Sequence, residues 1–168
     1  SLFETDSKIS TQDQFAVQVQ ESVLCPRYTG RLLKGVKVGP SPLWLQKRLE
    51  AVGMNSINNI VDVTNYVMLE LGQPLHAFDA SQIRGSKIIV AKSQAQEKFT
   101  TLDGTELLLA GDELMIKDSE RSLCMAGVIG GKNSGVSDAT VDVFLEAAYF
   151  APASVRKSLR HHGLNTDS

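Results

Sequence analysis

The feature that most constrains this chain is the block from Ser86 to Ala147, which reads as a series of short strands separated by turns. Lys87–Val90, Phe99–Leu102, Glu106–Leu109, Glu113–Lys117, Ser122–Ala126 and Val141–Ala147 are each short, apolar and rich in residues that favour extended backbone. Asp103-Gly104 between two of them is a strong hairpin turn signal. Ahead of the block, Phe15–Gln20 alternates with period two and Tyr28–Val38 is apolar and β-prone, which predicts two further strands with Cys25-Pro26-Arg27 breaking the run between them.

The helical signals lie outside the strand block. Ser41-Pro42 offers a capping hydroxyl and a proline at the first helical position, Leu45, Leu49 and Val52 follow at helical spacing, and Gly53 ends the pattern. A second helix is expected from about Ile60 to Leu71, stopped by Gly72, and a third from Ala151 to His162, stopped by Gly163. Helices at 42–72 and near the C-terminus around a run of strands make the α+β class, because βαβ alternation is missing. Residues 1–13 are polar and patternless and are expected to be a linker or frayed end, with the domain occupying 14–168.

Composition narrows the function. With 42% hydrophobic and 21% charged residues, a 168-residue chain makes one ordinary globular domain whose core needs no metal or disulfide. Cys25 and Cys124 have no metal-ligand spacing, no metal site is expected, and a reducing cytoplasm is the natural setting. No apolar run is long enough to span a bilayer, so no membrane association is expected. The formal charge of −2 lacks the basic excess of a primary nucleic-acid grip, so any RNA contact has to be local. The chain starts without Met and stops at Asn165-Thr166-Asp167-Ser168, which gives the expectation of a piece of something larger.

Several segments carry candidate chemistry, each with a plain structural alternative. The glycine-rich run Gly127–Gly131 before Lys132 departs twice from a phosphate-binding loop, at Ala126 and at Asn133, leaving a turn that admits a ligand close to the backbone or a simple tight connection. His76 stands in Leu71–Asp79, a segment held by Gly72 and Pro74 just after a helix, and is expected in a rigid loop, either as a proton-transfer group or as a structural histidine. Glu146 interrupts the apolar strand Val143–Phe150 on the face of Phe144 and Ala148, where a carboxylate has to be paired, protonated or ligand-facing. Arg156, Lys157, Arg160, His161 and His162 make the last helix basic, suited to a phosphate or to the negative end of the helix itself. No Ser-His-Asp order and no acidic cluster for Mg²⁺ can be assembled.

Six segments in order resemble one family. Cys25-Pro-Arg-Tyr28, Gly39-Pro-Ser-Pro42, Val61-Asp-Val-Thr-Asn65, Leu71–Asp79, Gly127-Val-Ile-Gly-Gly131 and Arg160–Asp167 look like the editing region of bacterial phenylalanyl-tRNA synthetase beta subunits, over about residues 13–168. The resemblance implies a three-layer α+β fold containing a β-sandwich of unusual topology with flanking helices. It implies a beta subunit that pairs with an alpha subunit as an α₂β₂ cytoplasmic enzyme, and a tRNA(Phe) partner mischarged with tyrosine. No cofactor is implied for this domain; ATP and Mg²⁺ belong to sites of the full synthetase outside it. By similarity, His76 positions the attacking water, Glu146 recognises the tyrosine hydroxyl and Thr166 lines the same site. Thr64, Asn65, Pro74, Gly127 and Gly130 complete the pocket, Ser168 gates it, and backbone amides of Gly127–Gly131 are candidate oxyanion donors. Asn55 replaces an arginine of some members and Ser168 an alanine of many. The competing reading is a non-catalytic structural or tRNA-binding module with the basic helix as its working surface.

Overall fold

The computed structural model describes residues 10–164. Ser10 caps a helical turn, α1 (Thr11–Gln14), through a reciprocal pair of hydrogen bonds with Asp13, and Thr11 Oγ1 accepts from the Leu32 amide at 3.1 Å. Residues 10–13, expected as the end of a linker, are therefore fastened to the body by a cap that a polar stretch can supply without any apolar pattern.

Two sheets make the centre. The larger has the order β1 (Ala16–Val19), β4 (Lys87–Lys92), β7 (Leu114–Lys117), β8 (Ser122–Met125) and β9 (Ile129–Gly130), with β1 parallel to β4 and the other pairs antiparallel. The smaller is β2 (Arg27–Leu33), β10 (Val143–Tyr149) and β3 (Leu75–Asp79), all antiparallel, with the last strand of the chain in the middle. A hairpin of β5 (Lys98–Thr100) and β6 (Glu106–Leu108) turns at Asp103-Gly104 as its sequence predicts. The strand predicted over Tyr28–Val38 ends at Leu33, and β10 runs on to Tyr149.

The sheets pack face to face. Ile88, Val90, Leu114, Ile116, Leu123 and Cys124 of the larger meet Phe78 and Phe144 of the smaller, in one cluster with Phe15 and Cys25. The Phe144 ring lies 5.2 Å from that of Phe15 and covers Gly30 so closely that a Cβ there would fall 2.2 Å from it. Alternation places Met115 and Met125 on the far side of the large sheet, under Phe99 of the hairpin and Val155 and Leu159 of α4 (Pro152–His162).

Helices α2 (Leu43–Ala51) and α3 (Asn59–Leu71) form the remaining layer, with α3 packed on β3. Ser41 does not cap α2. Its hydroxyl donates to Asp62 of α3, a fully buried carboxylate that also receives Ser56 and the Ile57 amide. Asn58 caps α3, and Gly72 ends it in the left-handed conformation that glycine adopts without strain. The β-sandwich with flanking helices is thus the α+β architecture expected.

Candidate functional site

The site begins with a strand that local patterning hides. Leu75–Asp79, expected as a loop, is β3, because its edge pairs with β10 and is stitched on the other side to the segment after β9: Asp79 N–H donates to Ser134 O at 3.0 Å and Phe78 bridges Gly135. In this register His76 stands directly opposite Glu146, and Gly30 of β2 stands opposite Glu146 on its other side. Directly opposed residues share a face of a sheet. The histidine and the carboxylate therefore both point into the space between the sheets.

Burial decides their chemistry. Glu146 is 5% exposed, and its Oε2 is buried with no hydrogen-bond partner among the described residues. Burial raises its carboxyl to about 7, and no cation pairs with it among the described residues. The internal ion pair considered from sequence is not formed among the described residues. His76 keeps part of its surface, but its Nε2 is buried and unpartnered, and burial lowers its pKa to about 4. At neutral pH the imidazole is uncharged. Its ring stands edge-on to Phe78 with centroids 4.4 Å apart and lies against Gly130, where an added Cβ would come within 3.0 Å of Cε1.

Sequence reasoning missed three neighbours. Tyr28 is on the same face of β2 as Gly30, opposite Ala148, and its hydroxyl is buried and unpartnered. It lies near enough to draw the Glu146 carboxyl down a little, without the alignment of a hydrogen bond. Burial first and the Glu146 charge second push the Tyr28 phenol well up. Cys25, pushed up to about 11 by burial, and Cys124, pushed well up by burial, also feel the Glu146 charge, and each thiol is turned to a backbone carbonyl at 3.5 Å. The signal available for Tyr28 was its two-residue spacing from Gly30, but only the register with β10 gives that spacing a partner.

The other expected residues are dispersed around this centre. Thr64 is buried on α3 with its hydroxyl donating to Val61 O at 2.7 Å; Asn65 beside it is half-buried. Pro74 is exposed just before β3, in a segment tied to β10 by the Gln73 side chain on Ala148 O at 3.3 Å. Gly127, with φ of +68°, faces Val155 and Phe150, so its missing side chain makes room for α4. Of the amides between Gly127 and Gly131, those of Val128 and Gly131 are already committed, to Met125 O at 3.0 Å and Leu123 O at 2.8 Å. Asn55 is exposed; Thr166 and Ser168 lie outside the described residues.

Two further features look like sites and differ in kind. A groove of about 670 Å³, with Lys92, Lys98, Arg121 and Lys132 on its walls, is more open than the buried pair, but neither His76 nor Glu146 lines it. Its one buried atom without a hydrogen bond, Arg121 Nε, lies 3.6 Å from the Asp118 carboxylate and so has its counter-charge, whereas the buried pair has none, which makes the pair the stronger candidate. Glu113, His161 and His162 come close enough to hold a metal ion. The Glu113 carboxylate, however, is fully occupied by Ser93, the Ala110 and Gly111 amides, and His162 Nε2 at 2.8 Å. These bonds outweigh burial and hold its pKa at about 2.

The B3/4 domain family model matches residues 24–168 of this sequence. The chain belongs to the B3/4 domain family. It is 66% identical over 168 residues to the phenylalanine–tRNA ligase beta subunit of Bdellovibrio bacteriovorus, covering 100% of this chain and 20% of that protein. To the same subunit of Geobacter metallireducens it is 50% identical over 163 residues, 97% of this chain and 20% of that protein. The B3/4 chain thus spans about a fifth of the length of these curated relatives. Its fold is similar to that of an N-terminal fragment of the phenylalanyl-tRNA synthetase beta subunit from Pyrococcus horikoshii, with a TM-score of 0.60 at 18% identity over 86% of this chain and 46% of that one. Among the described residues no helix is long and apolar enough to cross a membrane.

Proposed function

We propose that this B3/4 domain is the editing module of a phenylalanine–tRNA ligase beta subunit, acting in the cytoplasm with an alpha subunit to hydrolyse tyrosine wrongly esterified to tRNA(Phe). The observation that carries the reading is the pair of buried, unpartnered polar atoms, Glu146 Oε2 and His76 Nε2, on directly opposed residues of neighbouring strands. Buried polar groups in folded proteins are almost always satisfied, and two orphans side by side are what a site awaiting a polar ligand contains.

The chemistry fits tyrosine. A synthetic pocket built for phenylalanine rejects an added hydroxyl by only about 10², so a second site is needed that prefers the hydroxylated side chain. A buried carboxylate among Phe144, Phe78 and two thiols does this. The phenol donates to Glu146, whereas phenylalanine in the same place leaves the carboxylate desolvated, at a cost of about 1–3 kcal/mol. The ester is cut by water. The water oxygen bonds to the acyl carbon, the bond to the ribose oxygen breaks, and the ribose hydroxyl leaves with a proton. His76, uncharged at neutral pH, holds the water by accepting its proton in a hydrogen bond. An aminoacyl ester is reactive enough that positioning suffices, which accounts for the missing nucleophile. ATP and Mg²⁺ have no part in this step.

In the full synthetase, hydrolysis of preformed Tyr-tRNA(Phe) tests the reading. Glu146→Ala is expected to lower the rate and remove the preference for tyrosine over phenylalanine, and His76→Ala to lower the rate at least about 10-fold, a modest loss for a positioning group. An unchanged preference in the first variant removes Glu146 from recognition; a wild-type rate in the second removes His76 from the mechanism. Salt-dependent tRNA binding with no deacylation in the unaltered enzyme marks a purely RNA-binding module instead.

A further inference from the structure

We infer that Tyr28 is a second anchor for the substrate hydroxyl, donating its own O–H to the phenolic oxygen while Glu146 accepts the phenolic proton. The inference rests on the editing function proposed above. It starts from a count of donors and acceptors. A phenol has one proton to donate and lone pairs to fill. A carboxylate supplies an acceptor for the first and nothing for the second. A pocket containing only Glu146 would therefore leave a tyrosine oxygen half satisfied in a dry site.

Among the described residues, four titratable groups face Glu146. Cys25 precedes β2, Tyr28 is on β2, His76 on β3 and Cys124 on β8. The two thiols are spent on the carbonyls of Arg27 and Met125. His76 and Tyr28 remain, and His76 Nε2 is the group needed at the ester. That leaves the Tyr28 hydroxyl, which is buried, unpartnered and beside the carboxylate.

Position supports the assignment. Tyr28 is two pairs along the ladder from the Gly30–Glu146 pair and so on the same face, the diagonal reach that suits an aromatic side chain. Between them Gly30 contributes no side chain, and its surface is covered by Phe144, which forms an apolar wall. An incoming hydroxyl between Tyr28 Oη and Glu146 Oε2 would satisfy two orphaned atoms at once. Phenylalanine would leave both unmet, so the selectivity for tyrosine draws on two polar groups and not one.

The test uses the full synthetase and Tyr28→Phe, which keeps the ring in place. Binding is read with non-hydrolysable adenosine analogues carrying tyrosine or phenylalanine through an amide, and turnover with Tyr-tRNA(Phe). The variant is expected to bind the tyrosyl analogue about 3- to 10-fold more weakly, the worth of one hydrogen bond, with phenylalanyl binding unchanged. Removing Tyr28 also removes a group that draws the Glu146 carboxyl down, so the acidic limb of tyrosine hydrolysis is expected to move to higher pH.

A merely structural tyrosine gives equal losses for both analogues and no movement of the limb; that result, or no loss at all, overturns the inference. If the unaltered enzyme fails to hydrolyse Tyr-tRNA(Phe) yet binds the tyrosyl analogue preferentially, and Tyr28→Phe erases the preference, the editing reading falls and the anchor stands. A normal hydrolysis rate with a ratio unmoved by Tyr28→Phe does the reverse. Should the variant fold poorly, the unaltered enzyme answers with para-methoxy- and para-ethyl-phenylalanyl analogues of equal size. Tighter binding of the ether, whose oxygen can accept but not donate, supports the anchor, and equal affinity counts against it.

Discussion

Glu146 stands in the protein at a cost, and the cost depends on pH in a way that can be worked out. An ordinary glutamate has a pKa near 4.5, and burial raises this one to about 7. Between these values the folded protein binds more protons than the unfolded chain, so stability falls as pH rises from about 4.5 through about 7 and is level above that. Below 4.5 both states are protonated and the contribution is fully present. Glu146→Gln removes the titrating group. Denaturant unfolding is therefore expected to show the variant gaining on the unaltered protein as pH rises from 5 to 8, and a constant difference over that range would mean that Glu146 is solvated or paired. The lowered pKa of His76 acts in the opposite sense at the acid end. Because its folded value is about 4 against an ordinary 6.5, the unfolded chain takes up the proton first and stability declines below pH 6.5 until about 4.

At the scale of the element, β9 is two residues long and yet it fixes the imidazole. Gly130 pairs with Cys124 of the large sheet while its Cα faces the His76 ring of the small one. A methyl group at this position would lie 3.0 Å from Cε1 and 3.4 Å from Nε2, tighter than ordinary contact. Gly130→Ala is expected to push the ring off its position and lower deacylation at least about 10-fold while costing no more than about 1–3 kcal/mol of stability, the usual toll of overpacking. Comparing the rate of hydrolysis with the unfolding midpoint checks this, and a full rate would show that the ring can yield without consequence. The contrast with Gly127 is instructive. Both glycines belong to the same sequence motif, but one gives way to His76 and the other to Val155 of α4.

At the scale of the whole molecule, α4 is held to the large sheet by more than its apolar face. Glu113, 1% exposed and just before β7, accepts from His162 Nε2, and Asp112 pairs with Lys157. The basic helix expected to present a solvated or phosphate-binding face is in part committed to these internal partners. Glu113→Ala leaves the Ser93 hydroxyl, two amides and the His162 ring without their acceptor, and is expected to destabilise the protein by about 3–5 kcal/mol, since each buried group left unsatisfied costs about 1–3 kcal/mol. Thermal unfolding of the variant measures it; a loss below about 1 kcal/mol would show that water replaces the carboxylate. The Glu113 contribution is present above about pH 4.5 and is lost as pH falls towards about 2.

What the sequence determined by itself was everything that depends on neighbours a few residues away. Gly53, Gly72 and Gly163 mark where helical patterns stop, Asp103-Gly104 marks the hairpin, and period-two alternation puts Glu146 on the face of Phe144 and Ala148. The resemblance carried by six motifs pointed to His76 and Glu146 together, but no local signal does so. Only the tertiary structure decided that Leu75–Asp79 is a strand, that β10 inserts between β2 and β3, and hence that His76, Glu146 and Tyr28 converge. The physical reason is that an alternating pattern fixes which face a side chain takes, whereas strand order and register are chosen by burial between segments that, for β2 and β10, lie more than a hundred residues apart. Leu75–Asp79 extends because its edges find partners, and the polar atoms left over between the sheets are a product of that choice.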